Sequence, residues 1–213
     1  MTRLLPLFPL QMVVFPGAAV PLHIFEDRYR EMVGEAEARG TEFGIVRTIV
    51  RGEQSGIANA GCTVTVESVV NRYPDGRFDV MTRGHRRFRI LSLDEEKAYL
   101  RGAVEFFDDE AVTQAPKELL DRAFEAYEQL RRELGGSEGT EAPEATLNDL
   151  SFRLAEGIDD LDFRSVMLQS LSEPERLRLF AKFASDYIPR KQYVAYMQKK
   201  APTNGSGHNR PGV

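Results

Sequence analysis

The sequence predicts an α+β protein, with a β-rich first half and a helical second half. Three observations carry this. Short, strand-favouring stretches bounded by turn residues fill residues 1–107. From Val112 onward the apolar residues recur at helical spacing instead. Within the first half a single helical stretch interrupts the strands, which indicates a small β-barrel or sandwich and not repeated βαβ units.

The opening stretch, "LLPLFPLQMVVFPGAAVPLHIFEDRYREMV" from Leu4 to Val33, places prolines at 6, 9, 16 and 21 among apolar residues. Proline has no N–H to give a β-ladder, so "RLLPLF" and "AVPLHI" are predicted as strands at sheet edges or bulges. A helix is predicted over about 26–38, with Phe25, Tyr29, Met32, Val33 and Ala36 at helical spacing and Glu26–Arg30 as an i,i+4 ion pair. Gly40 lies just past its end, as a C-terminal cap would. Strands follow at 41–50 and 61–73. Pro74-Asp75-Gly76 then marks a turn, because proline presets φ and the Asp-Gly pair tolerates positive φ. "RFDVMTRG", "RRFRILSL" and "YLRGAVEFF" complete the β-rich part.

In the second half Leu120, Phe124, Tyr127 and Leu134 mark a helix. "GGSEGTEAP" (135–143) has the composition of a flexible acidic linker and of the preferred internal proteolysis site. Leu147, Leu150, Leu154 and Ile158 mark a second helix, and Phe163 to Leu171 a third. Ser172 and Glu175 have the spacing of a capping box before Leu177, Phe180, Phe183 and Tyr187, with a last basic segment running to Lys200. The organisation expected is therefore a β domain over 1–110, a helical subdomain over 111–200 and a disordered polar tail over 201–213.

Composition narrows the function. Residues 1–106 carry 14 Lys+Arg and 14 Asp+Glu, so the strand-rich part has no overall basic footprint of the kind a nucleic-acid binder shows. The one cysteine, Cys62, excludes an internal disulfide and a Cys-rich zinc site, and its strand setting reads as a small buried residue. No basic region precedes an apolar run at the N-terminus, and no window reaches membrane-spanning length, so a cytoplasmic protein is expected, without a membrane partner.

Two motifs of phosphate and metal chemistry are absent. No Gly-Lys dipeptide occurs, which excludes a phosphate-cradling P-loop, and His-Glu-x-x-His is not present. The three histidines, His23, His85 and His208, are scattered, so no metal site and no cofactor is assigned. The most basic run, "RGHRRFRIL" (83–91), reads as a strand with Arg86, Phe88 and Ile90 on one face and His85, Arg87 and Arg89 on the other. Arg86, Arg87 and Arg89 are the candidates for nucleic-acid contact. The structural alternative, which the neutral charge of this half favours, is a solvated face whose arginines pair with nearby acids.

With these residues in view, the opening stretch resembles the N-terminal substrate-recognition domain of Lon proteases, as found in stand-alone bacterial Lon-domain proteins and more distantly in cereblon. "GCTVTVESVVNRYPDGRFDVMTRGHRRFRI" is similar to that family's Gly-led strand, Asp-Gly hairpin and Gly-x-x-Arg strand, with Gly61, Asp75, Gly76, Gly84, Arg87 and Ile90 at the matching positions. "MLQSLSEPERLRLF" resembles its helical part. The likeness covers about 1–200. It implies a PUA-like six-stranded pseudo-barrel followed by an α-helical subdomain, and a non-catalytic module that binds exposed hydrophobic or extended segments of other proteins. Lon proteases continue into an ATPase module and a Ser-Lys peptidase domain, whose residues are absent here, so no enzyme activity is expected. PUA-like barrels also include RNA readers, which keeps nucleic-acid binding as the alternative, and a ligand cleft in the barrel is a third reading.

The peptide-binding residues expected are His23, Phe25, Arg28 and Tyr29, at the join between "AVPLHIF" and "EDRYREM". Pro16 and Pro21 limit pairing of this segment, leaving backbone groups that an extended peptide could satisfy. Aromatic and arginine side chains are the commonest interface anchors. The competing expectation is that Phe25 and Tyr29 are core residues.

Overall fold

A computed structural model describes residues 4–52, 54–110, 115–133 and 149–200. The expected linker at 135–143, Leu134, Leu147 and the tail from 201 lie outside them. Six strands and one helix come first: β1 (Leu5–Leu10), β2 (Ala19–Ile24), α1 (Asp27–Arg39), β3 (Phe43–Arg51), β4 (Gln54–Arg72), β5 (Phe78–Asp94) and β6 (Arg101–Phe106). Four helices follow: α2 (Lys117–Glu133), α3 (Leu150–Ala155), α4 (Leu161–Gln169) and α5 (Glu173–Lys200). The α+β class read from the sequence is the one observed.

The strands form one mixed sheet in the order β2-β5-β4-β3-β1-β6, with β1 and β3 parallel and the other pairs antiparallel. β5 is long enough to serve two neighbours on one edge. Its first part, Phe78–Arg83, carries β2, and its last part, Phe88–Asp94, carries β6. The sheet thus coils back on itself as a pseudo-barrel without becoming a regular closed cylinder. Among the described residues β2 is left with β5 as its one strand partner.

Turn chemistry sets the element ends. Gly76 takes φ 86° in the β4–β5 turn, where its N–H donates to the Tyr73 carbonyl at 3.0 Å and the Asp75 carboxylate accepts from the Arg77 N–H at 3.1 Å. Gly40 ends α1 in the left-handed region, at φ 59°. Two expectations at helix starts fail. Glu26 pairs with Arg28 at 2.7 Å and not with Arg30, whose guanidinium goes to Asp27 and the Asp75 carbonyl. Glu175 accepts from Ser170 Oγ at 3.0 Å and does not close a capping box with Ser172. The helix it belongs to runs through Pro189 as one element, so the stretch of Leu177 to Tyr187 and the basic segment ending at Lys200 are continuous.

One cluster of buried apolar residues runs from the sheet into the helices. Phe15, Tyr29, Phe43 and Val64 belong to it together with Phe152, Met167 and Phe180, and the rings of Phe15 and Phe152 stack with centroids 5.0 Å apart. The buried stripe of α2 is Leu119, Ala123 and Leu130, one residue off the expected one, with Leu120, Phe124 and Tyr127 at its margin.

A bulge in β5 changes which side chains face inward. Between Cys62↔Arg87 and Val64↔Gly84 the register slips, so that His85 and Arg86 stand opposite the single residue Thr63, whose hydroxyl accepts the Arg86 N–H at 3.0 Å. Strict alternation over 83–91 is therefore broken. Arg87 turns inward and is only 5% exposed, whereas His85 and Arg86 face solvent.

Candidate functional site

The geometry of β2 follows from its position at the sheet margin. The Gly84 N–H donates to the Ala18 carbonyl at 2.8 Å, and the register with β5 runs unbroken from Ala19↔Arg83 to Ile24↔Phe78. In an antiparallel ladder the backbone groups of alternate residues point to opposite sides. Those of Val20, Leu22 and Ile24 therefore serve β5, and those of Ala19, Pro21 and His23 point away from it. Pro21 falls where its missing N–H breaks no ladder bond. The same alternation buries the side chains of Val20, Leu22 and Ile24 and exposes the other three.

Beside this open edge lies a groove of about 530 Å³. Phe8, Leu10 and Met12 form one wall, and β2 with the start of α1 forms the other. All four residues expected to bind peptide, His23, Phe25, Arg28 and Tyr29, line it. The structure separates them by role. Tyr29 is 6% exposed, with its ring centroid 4.1 Å from that of Phe8, and belongs to the core; burial pushes its hydroxyl pKa up. Phe25 is 58% exposed, so its expected place in the buried stripe of α1 is corrected. It precedes the first turn of the helix, in the segment where the chain leaves β2, and so does not turn inward with Tyr29 and Met32.

The remaining two are held in place by neighbours. His23 Nδ1 lies 2.6 Å from Asp79 Oδ1, and Tyr73 donates its hydroxyl to the other oxygen of Asp79 at 2.7 Å. These hydrogen bonds, that of His23 first, hold the Asp79 carboxyl below its usual range. The imidazole stacks on Phe25 with centroids 5.9 Å apart. Arg28 lies over the face of Tyr29 at 4.6 Å and binds Glu26. Asp79 and Tyr73, the supports of His23, were not singled out in the sequence; the turn at Pro74-Asp75-Gly76 was the available signal, since it folds β5 back to bring Asp79 beside Tyr73. What results is an apolar trough with an open strand edge, an exposed aromatic ring and a fixed imidazole. Among the described residues no cluster of His, Cys, Asp and Glu could hold a metal ion.

The three candidate nucleic-acid residues do not form one basic face. Arg87 donates to Asp109 at 2.6 Å and to the carbonyls of Leu168 and Ser170, deep between sheet and helices. Arg86 lies over the Phe106 ring at 4.0 Å and Arg89 over the Phe107 ring at 4.6 Å.

Comparison with known proteins adds the relatives. The family model described as the ATP-dependent protease La (LON) substrate-binding domain matches residues 4–184. A Lon protease of Parabacteroides distasonis is 32% identical over 126 residues, covering 57% of this chain and 15% of that protein. A Lon protease of Flavobacterium johnsoniae is 27% identical over 111 residues, covering 50% of this chain and 14% of its own length. The chain thus spans about one seventh of these relatives. Among solved structures, the crystal structure of a Lon N-terminal domain protein from Xanthomonas campestris superposes with a TM-score of 0.63 at 28% identity, covering 83% of this chain and 95% of that one. The N-terminal domain of Mycobacterium avium complex Lon protease shares the fold, with a TM-score of 0.54 at 19% identity, covering 87% of this chain and all of that one.

Proposed function

The chain belongs to the LON substrate-binding domain family, and we propose that it is a non-catalytic, cytoplasmic recognition module that binds exposed hydrophobic or extended segments of other proteins. The observation that carries this reading is the groove between Phe8 and Phe25, which combines apolar walls with the unpaired edge of β2. An extended segment entering it would gain main-chain hydrogen bonds from β2 and apolar contact from the walls, which is recognition by strand addition. Phe25 would cover apolar side chains of the guest, and His23 and Arg28 would flank it.

Fluorescence anisotropy with a labelled, amidated nonapeptide of alternating Val and Thr tests the reading. Saturable binding is expected, weakened at least about tenfold by Phe25→Asp and abolished by placing proline at alternate positions of the peptide. Absence of binding to the native protein, or binding that Phe25→Asp leaves unchanged, overturns it.

A further inference from the structure

The groove does not end at Pro21. A second hollow of about 290 Å³ continues from it past the shared residues Met12 and Pro21, and Arg164 and Glu156 stand at its far side. Its floor includes Ala19 and Val20, so the open edge of β2 runs along both.

Arg164 is unusual among the partly buried arginines in lacking a carboxylate partner. Among the described residues its guanidinium bonds only to carbonyls: Val13 at 2.8 Å, Glu156 at 2.9 Å and Ile158 at 3.2 Å. Those take three of the five N–H groups that an arginine offers. Nε is buried and has no acceptor among the described residues, and one face of the group rests on the Phe15 ring at 4.7 Å. Burial lowers its pKa, and the nearby Glu156 offsets this only in part. The charges around it are otherwise matched. The Glu156 carboxylate accepts from Arg153 at 3.0 Å, and Arg83 is held by Glu67. Among the described residues this end of the hollow therefore carries one positive charge more than its carboxylates balance, on a guanidinium that is itself partly buried. At the other end Arg28 already has Glu26.

We propose that the hollow beside Arg164 receives a carboxylate of the bound segment, so that the segment lies along β2 with an acidic group near Ala19 and apolar side chains toward Phe25. This rests on the groove being the peptide site. The reach fits: from His23 to Ala19 a strand advances roughly 13 Å at about 3.3 Å per residue. A guanidinium prefers a carboxylate, which offers paired acceptors, to a lone carbonyl. Two sources share this chemistry. A free C-terminus would make the segment antiparallel to β2, because its last residue would sit at the N-terminal end of that strand. An internal Asp or Glu would supply the same group.

Four labelled nonapeptides of one alternating Val/Thr sequence distinguish the sources: the amidated parent, the same peptide with a free carboxylate, and amidated forms with Asp or Asn at the penultimate position. At least about tenfold tighter binding of the free-carboxylate peptide than of the parent, or of the Asp form than of the Asn form, is expected, and which pair differs identifies the source. Arg164→Gln is expected to remove the preference. Arg28→Ala, an exposed change, is expected to weaken all four equally and keep the ratio. Equal binding of all four to the native protein overturns the assignment while leaving the groove reading intact. Failure of all four to bind overturns both. A preference lost in Arg28→Ala overturns the role of Arg164 even if Arg164→Gln does not fold.

Discussion

Arg176 of α5 grips Asp109, in the segment after β6, through two hydrogen bonds of 2.7 Å, one from each terminal nitrogen. The same carboxylate takes Arg87 from β5 at 2.6 Å, and Arg176 also reaches Glu173, whose oxygens accept from Ser151. Sheet and helices are thus joined by a charged node, alongside the Phe15–Phe152 stack. Burial opposes ionisation of Asp109, but the hydrogen bonds and charges of the two arginines outweigh it and hold its carboxyl below the usual range.

Removing the shared carboxylate leaves two buried guanidinium groups facing each other. Asp109→Ala is therefore expected to destabilise the fold by about 3–5 kcal/mol, read as a lower urea midpoint. An unchanged midpoint would mean that the node contributes nothing.

The node also sets an acid limit. Because the folded pKa of Asp109 is depressed, its contribution is present above the unfolded value of about 3.9 and is lost as pH falls through the folded value. Stability measured in urea from pH 6 to pH 2 should fall below about pH 4, and Asp109→Asn should flatten that limb.

Tyr29 and Phe25 should separate cleanly. Tyr29→Ala opens a cavity under Phe8 and is expected to cost about 3 kcal/mol or more. Phe25→Ala, on an exposed ring, should stay within about 0.5 kcal/mol and still weaken peptide binding. Thermal melts by circular dichroism, paired with anisotropy, decide between these and the reverse assignment.

Gly84 is required for space. A Cβ there would lie 2.1 Å from the Phe15 carbonyl oxygen, at the point where Gly84 exchanges backbone hydrogen bonds with Gly17 and Ala18. Gly84→Ala is expected to cost about 1–3 kcal/mol or more through forced backbone movement. Gly56→Ala, whose Cβ would meet no atom within 4 Å, should be near neutral in the same urea titration.

Cys62 should be inert. Its side chain is fully buried and burial pushes the thiol up to about 12. Labelling by a thiol-specific disulfide reagent at pH 8 is expected only after unfolding in urea. Rapid labelling of the native protein would contradict the placement.

The join between edge strand and helix was legible in outline. Proline at 21 and the crowding of His23, Phe25, Arg28 and Tyr29 marked an edge strand running into a helix, and all four residues do line one groove. Their division was not legible, because helical spacing tells which residues share a face but not where the helix begins. Phe25 lies two residues ahead of Asp27 and escapes the face it was assigned to. Arg164 carried no signal at all, being separated from Val13, its partner at 2.8 Å, by most of the chain.

By itself the sequence determined the class, the strands-then-helices order, the turn at Gly76 and the cap at Gly40, because each depends on period or on backbone freedom within a few residues; it divided at Gly84 what the structure holds as the single strand β5. Only the tertiary structure decided that Arg87 turns inward, since one extra residue opposite Thr63 reverses the pleat, and that Asp109 meets Arg176 across 67 positions. It decided, too, that of the two proline-marked strands β1 is paired on both sides, by β3 and β6, while β2 alone keeps the open edge expected of both. Pairing and burial between distant segments depend on what packs opposite each face, and no local pattern encodes the opposing surface.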